Sequence, residues 1–198
     1  MKTNKLNQKY WETNYANNEI GWDIGYVSPS IESYFNQITD KNISILIPGA
    51  GNSYEAEYLF NNGFKNITVL DLAKQPLQNL QKRTPLFPSN QLIQGDFFNH
   101  HKKYDIIIEQ TFFCALNPEL RLNYTKKMNK LLNDGGKLIG VLFNFPLTDV
   151  GPPFGGSLIE YKKTFSKYFY IKTLETCYNS IKPRQERELF IIFEKKNN

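Results

Sequence analysis

The stretch Ile43-Ser-Ile-Leu-Ile-Pro-Gly-Ala-Gly-Asn-Ser53 constrains this chain more than any other, because an apolar run of strand length breaks there into a Gly-x-Gly turn. Such a run suits a strand buried on both faces. Glycines are needed where backbone N–H groups must meet a ligand that any Cβ would fend off. The next apolar run, Asn66-Ile-Thr-Val-Leu-Asp71, ends in an acid. A carboxylate at the tip of the second strand is placed to accept ribose hydroxyls. Gly49, Gly51 and Asp71 together imply a nucleoside cofactor at a strand edge. A tight strand-to-helix turn without a ligand uses the same glycines, so the turn alone leaves both readings open.

The flanking residues discriminate among cofactors. A dinucleotide fingerprint has a third glycine where this chain has Tyr54, and it sets pyrophosphate against the positive end of the following helix. Here Glu55 and Glu57 occupy that first turn, complementing the helix dipole themselves and repelling a diphosphate. No Gly-Lys-Ser/Thr follows, which excludes a phosphate-cradling loop. S-adenosylmethionine has ribose and adenine, no phosphate and a cationic sulfonium, and is the expected cofactor.

At 198 residues, one domain is expected, with 1–40 a cap or lid and 41–198 the core. Hydrophobic residues make up 40%, with no run near membrane-span length, and the polar start Met1-Lys-Thr-Asn-Lys-Leu-Asn-Gln-Lys9 has no leader-like apolar core. A cytoplasmic protein is expected, as a monomer or weak dimer. Cys114 and Cys177 fit no paired metal or redox spacing. His100 and His101 read as an exposed loop, so no metal is expected. The net charge of +5 is carried by lysines scattered along the chain rather than gathered in a stripe, which argues for a solvated surface and a small-molecule acceptor over nucleic acid.

Strand-like runs at 43–47, 67–70, 91–94, 104–108, 137–143, 169–175 and 188–194 alternate with helix-period segments up to the sixth, the pattern of a parallel sheet covered on both faces. Asn117 and Pro118 open a helix with Leu120, Tyr124, Met128 and Leu131 on one face, ended by Asp134-Gly135-Gly136. Between the last two strands, 177–187 is too polar and too Pro-broken for a crossover, so they form an antiparallel hairpin. A seven-stranded, mostly parallel α/β sheet with its last strand antiparallel is the Rossmann-like class I methyltransferase architecture. The aromatic-rich, otherwise polar first forty residues, including Trp11, Tyr15 and Trp22, suit a helical lid over the carboxyl edge of the sheet. The alternative is that these rings only anchor an N-terminal helix.

With these segments in place, the chain resembles the thiopurine methyltransferase family, which includes plant and bacterial thiol and halide methyltransferases. The resemblance rests on Tyr10-Trp-Glu-Thr-Asn-Tyr15, Gly21-Trp-Asp-Ile-Gly25, Ile47-Pro-Gly-Ala-Gly-Asn52, Val69-Leu-Asp71, Gly95-Asp-Phe-Phe98, Gln110-Thr-Phe-Phe-Cys-Ala-Leu116 and Gly151-Pro-Pro-Phe154. It implies that Trp11, Tyr15 and Trp22 wall the methionine end of the cofactor over Gly49. Asp71, followed by Leu72, would take the ribose, and Asp96 with the Phe97 amide the adenine. Glu109 and Gln110 would line the pocket. Tyr15 stands where some members have tryptophan, and Gln110 where others have tyrosine or arginine. A sulfonium gains roughly 0.5–2 kcal/mol from a good ring-face contact, in keeping with an aromatic lid.

Transfer from a sulfonium is an in-line displacement that needs positioning and exclusion of water more than a dedicated base. An alkyl thiol titrating near roughly 8.5 is close to ionisation at neutral pH, and halide or thiocyanate is already anionic. Phe112, Phe113 and Phe154 suit a soft nucleophile such as a thiol, hydrosulfide, halide or thiocyanate, although each also suits plain core packing. Arg184 and Arg187, between the last strands, are candidates to meet an anionic acceptor or to sit in a solvated turn. The alternatives are N- or O-methylation of another small molecule or nucleic acid, and a non-catalytic binding module. Enzymes that methylate exocyclic amines carry Asn/Asp-Pro-Pro-aromatic after the fourth strand, where this chain reads Glu109-Gln-Thr-Phe112.

Overall fold

The computed structural model describes residues 6–197; the first residues of the polar start, 1–5, lie outside the described residues. Seven strands form one sheet: β1 Ser44–Pro48, β2 Asn66–Asp71, β3 Leu92–Gln94, β4 Tyr104–Gln110, β5 Leu132–Phe143, β6 Phe169–Thr176 and β7 Glu188–Lys195. Their order is β3-β2-β1-β4-β5-β7-β6. The first five pair in parallel, and β7 is inserted antiparallel to both β5 and β6. The order reverses between β1 and β4, and ligands of open α/β sheets bind outside the carboxyl ends of the strands at such a switch point.

Successive side chains on a strand face opposite sides, which divides the core in two. Ile45, Ile47, Ile67, Val69, Ile106 and Ile108 pack beneath α2 Pro29–Phe35, α3 Tyr54–Asn61 and α4 Lys74–Arg83. Leu46, Leu70, Ile107, Leu138 and Leu142 pack against α6 Arg121–Leu131 and α7 Leu158–Phe165. Two further helices reach the carboxyl edge. α1 Gln8–Ala16 is capped by the Asn7 side chain accepting from the Tyr10 N–H at 3.0 Å and lies against α4. The one-turn α5 Phe112–Ala115 follows β4 directly.

Two expectations need correction. The helix expected from Asn117 is a 3-10 turn, Pro118–Leu120, and then α6. The tighter turn carries three residues per revolution and leaves Leu120 exposed, while Tyr124, Met128 and Leu131 stay buried. Asp134-Gly135-Gly136 does not end that helix, which stops at Leu131; it falls in the irregular start of β5, where the register against β4 shifts. His100 is half-buried rather than loop-exposed, stacked on Tyr104 and sharing a 2.7 Å hydrogen bond with its hydroxyl. Among the described residues, no helix is long and apolar enough to cross a membrane.

Candidate active site

A cavity of about 1090 Å³ opens at the switch point, bounded by α1, residues 19–26, the glycine turn, the ends of β2 and β4, and the β6–β7 connection. That exceeds what one cofactor-sized ligand fills and leaves room for a second small molecule.

The glycine turn forms the floor. Gly49 and Gly51 take φ of +57° and +55°, a region L-residues with a Cβ rarely enter. A Cβ at Gly49 would overlap the Phe112 ring, and one at Gly51 would sit 3.2 Å from the Tyr15 hydroxyl. Asp71 Oδ2 accepts from the Gly51 N–H at 2.9 Å, and Oδ1 from the Ala73 N–H at 2.8 Å. A carboxylate has about four acceptor positions, so these bonds leave capacity for a ligand hydroxyl. Burial pushes the Asp71 carboxyl up to about 6, although hydrogen bonds from the Ala73, Gly51 and Leu72 backbone pull the other way.

Above the floor stand three rings. Trp22 meets Trp11 edge-on at 5.4 Å and Tyr15 at 5.8 Å between centroids. The Tyr15 hydroxyl is held well above its ordinary range, first by burial and then by the nearby Asp71 charge. The segment bearing Trp22 is tied to the turn by Asp23, which accepts from the Asn52 side chain, and by the Ser28 N–H, which donates to Glu55 at 3.1 Å. Glu55 is itself buried, and desolvation raises its carboxyl.

Leu72, Asp96, Phe97 and Gln110 complete the half of the wall beside the glycine turn. Asp96 caps its own turn, accepting from the Phe98 N–H at 2.8 Å. Gln110 Oε1 is buried without a hydrogen-bond partner among the described residues. An unpaired buried acceptor is costly, and a ligand N–H at this wall relieves that cost. These residues fit S-adenosylmethionine: a carboxylate for the sugar, glycines for close approach, rings for a sulfonium and an acceptor for its ammonium.

Phe112, Arg184 and Arg187 line the other half, with Phe143, Phe145, Pro152 and Pro153. The Arg187 guanidinium lies 4.9 Å from the Phe145 ring centroid and makes no ion pair among the described residues. Arg184 is engaged elsewhere: it donates to the Trp22 carbonyl at 2.6 Å and to Glu188 at 3.2 Å.

Three candidates stand behind the wall instead of in it. Glu109 is fully buried, accepting from the Tyr124 hydroxyl and from the Phe113 N–H at 3.0 Å, and burial lifts its carboxyl to about 7. Alternation along β4 sends Gln110 and Glu109 to opposite sides. Phe113 packs against Tyr124, Tyr161 and Phe165 in the core. Phe154 is buried, its N–H bonded to the Cys114 carbonyl at 2.6 Å. Sequence reasoning missed Phe143 and Phe145. Their signal was an aromatic pair flanking Asn144 at the carboxyl end of the fifth strand. The Asp23–Asn52 contact, between residues 29 apart, has no local signal in the sequence.

The sheet order and the cavity at its switch point, lined by the glycine turn, Asp71 and the aromatic rings, are those of a class I S-adenosylmethionine-dependent methyltransferase. The sequence matches Thiopurine S-methyltransferase (TPMT) over residues 6–197, and the chain belongs to that family. It is similar to the probable thiol methyltransferase 2 of Arabidopsis thaliana, at 30% identity over 158 residues covering 77% of this chain and 70% of that protein. It is also similar to a thiopurine S-methyltransferase of Vibrio parahaemolyticus, at 26% identity over 81% of this chain and 82% of the other. Among solved structures, the fold matches the 1,6-didemethyltoxoflavin-N1-methyltransferase of Burkholderia thailandensis with a TM-score of 0.76 at 14% identity, covering 96% of this chain and 87% of that one. The chain is thus an S-methyltransferase that uses S-adenosylmethionine and acts on a small molecule.

Proposed function

We propose that this enzyme methylates a small, soft, anionic sulfur nucleophile, a thiolate or hydrosulfide, with halide and thiocyanate as further acceptors of the same character. The observation that carries this reading is the contrast between the two halves of the cavity. The acceptor half is walled by Phe112, Phe143, Phe145 and two prolines, with Arg187 the guanidinium at its rim that has no counter-ion among the described residues. An apolar wall strips water from a nucleophile, and one unpaired cation attracts its negative charge.

Bound S-adenosylmethionine would supply an electrophilic methyl group for in-line transfer to the acceptor sulfur as the carbon–sulfonium bond breaks, leaving S-adenosylhomocysteine and a neutral product, a thioether from a thiolate or methanethiol from hydrosulfide. The chain contributes placement. Asp71 and the glycine turn fix the donor's sugar, the Trp11–Tyr15–Trp22 rings hold its cationic end, and Phe112 covers Gly49 at the junction of the halves. Cys114 is no nucleophile, since burial pushes its thiol up to about 12. Arg187 favours the ionised acceptor, lowering the pKa of a bound thiol without a general base.

We further read the protein as a cytoplasmic monomer or weak dimer, and its acceptor as a small molecule rather than nucleic acid, the latter on the scattered lysines and the size of the cavity. The whole reading is tested by calorimetry with S-adenosylhomocysteine, followed by transfer from radiolabelled S-adenosylmethionine to hydrosulfide, thiophenol, iodide, thiocyanate and an amine panel. Binding with labelled sulfur products is expected. Labelling of amines alone, with every sulfur and halide acceptor inert, rejects it.

A further inference from the structure

Arg184 and Arg187 lie three residues apart in the β6–β7 connection, yet their surroundings differ. The Arg184 side chain is 12% exposed and its donors are directed inward. Nη1 reaches Glu188 Oε1 at 3.2 Å, and the Glu188 side chain is 4% exposed. Nη2 reaches the carbonyl oxygen of Trp22 at 2.6 Å, 162 residues away in sequence. The guanidinium carbon also sits 5.4 Å from the Phe143 ring centroid. One planar fork thus joins the acceptor-side loop to the backbone of the residue whose ring abuts both Trp11 and Tyr15.

We propose that Arg184 is a positioning residue for the cofactor: anchored by Glu188, it fixes the Trp22 backbone and so holds the aromatic wall over Gly51. The inference rests on the methyltransferase reading of the cavity. The segment carrying Trp22 is also tied toward the glycine turn, through Asp23 to Asn52 and Ser28 to Glu55, and to α1 through the Glu19 N–H, which donates to the Asn14 carbonyl at 2.8 Å. The Arg184 bond adds a tie to the Trp22 backbone itself, from the β6–β7 connection. Arginine suits the task because its rigid fork makes both bonds at once while remaining charged. Glu188 matters in turn because a charge-assisted bond to a buried carboxylate keeps the fork from rotating away. A residue belonging to the acceptor loop by sequence therefore acts on the donor half by contact.

The experiment compares wild type with Arg184→Leu, Arg184→Lys and Arg187→Leu in S-adenosylhomocysteine affinity, steady-state constants and intrinsic emission. The chain has two tryptophans, Trp11 and Trp22, both in the wall, so emission reports its packing. Arg184→Leu is expected to weaken S-adenosylhomocysteine tenfold or more, raise the KM for S-adenosylmethionine in parallel and shift the emission to the red. The acceptor KM at saturating cofactor should move less than threefold. Arg184→Lys keeps the charge and most of the stem but reaches only one of the two partners, so a weakening of threefold or more is expected even if the leucine variant does not fold. Arg187→Leu should do the reverse, raising the acceptor KM and sparing cofactor affinity. Wild-type S-adenosylhomocysteine affinity and emission in Arg184→Lys, or a defect of Arg184 variants confined to the acceptor KM, overturns the proposal. Failure of the wild-type protein itself to bind S-adenosylhomocysteine would instead overturn the methyltransferase reading.

Discussion

Asp71 reaches back from the end of β2 to the glycine turn after β1, its Oδ2 accepting from the Gly51 N–H at 2.9 Å. One carboxylate thus braces the turn and faces the cavity.

Replacing Asp71 removes both functions. Asp71→Ala is expected to weaken S-adenosylhomocysteine binding by about 1–3 kcal/mol, the cost of losing hydrogen bonds to a charged group and leaving the Gly51 N–H unpaired. Titration calorimetry measures it. Unchanged affinity would show that the ribose lies elsewhere.

The same carboxyl predicts a pH dependence of binding. Burial lifts Asp71 from 3.8 to about 6, so it is ionised above that pH and protonated below. Ribose hydroxyls donate best to the ionised form, so affinity should hold from pH 8 to 7 and then decline as pH falls through 6 toward 5. In Asp71→Asn, which has no proton to take up, the profile should be flat across this window. A wild-type profile equally flat contradicts the assignment.

Glu109 predicts a pH dependence of stability. Burial raises its carboxyl from 4.5 to about 7 in the folded chain. Between those values the folded state holds a proton the unfolded state has released. Its contribution to stability is therefore full below pH 4.5 and lost as pH rises through 7, by about 3 kcal/mol in total. Urea unfolding at pH 5 and 8 should show Glu109→Gln gaining on wild type at the higher pH, because the amide accepts the Phe113 bond without ionising. Parallel loss in both proteins refutes this.

Gly49→Ala tests the floor. The left-handed φ of +57° costs a Cβ-bearing residue about 1–2 kcal/mol, and the methyl also displaces Phe112. A stable variant with at least tenfold weaker cofactor binding is expected, read by thermal melting beside calorimetry. Full cofactor affinity would mean that the turn does not contact the ligand.

Much was legible in the sequence because its determinants are local. Alternation of buried strands with helix-period segments marked all seven strands, the polar, Pro-broken 177–187 stretch required the final hairpin, and the Gly49-Ala-Gly51 turn with Asp71 pointed to a sugar without phosphate. Spacing fixes those features through backbone sterics and side-chain period, which need no distant partner.

Tertiary structure decided which face each neighbour presents and what each charge meets. Glu109 and Gln110 are adjacent in sequence, yet one is sealed under Tyr124 and the other lines the cavity, because β4 is covered on both sides. Arg184 and Arg187 read alike, but Arg184 is consumed by Trp22 and Glu188 while Arg187 makes no ion pair among the described residues. A contact across 162 residues depends on how the whole sheet closes on the N-terminal segment, and no local pattern in the chain encodes that closure.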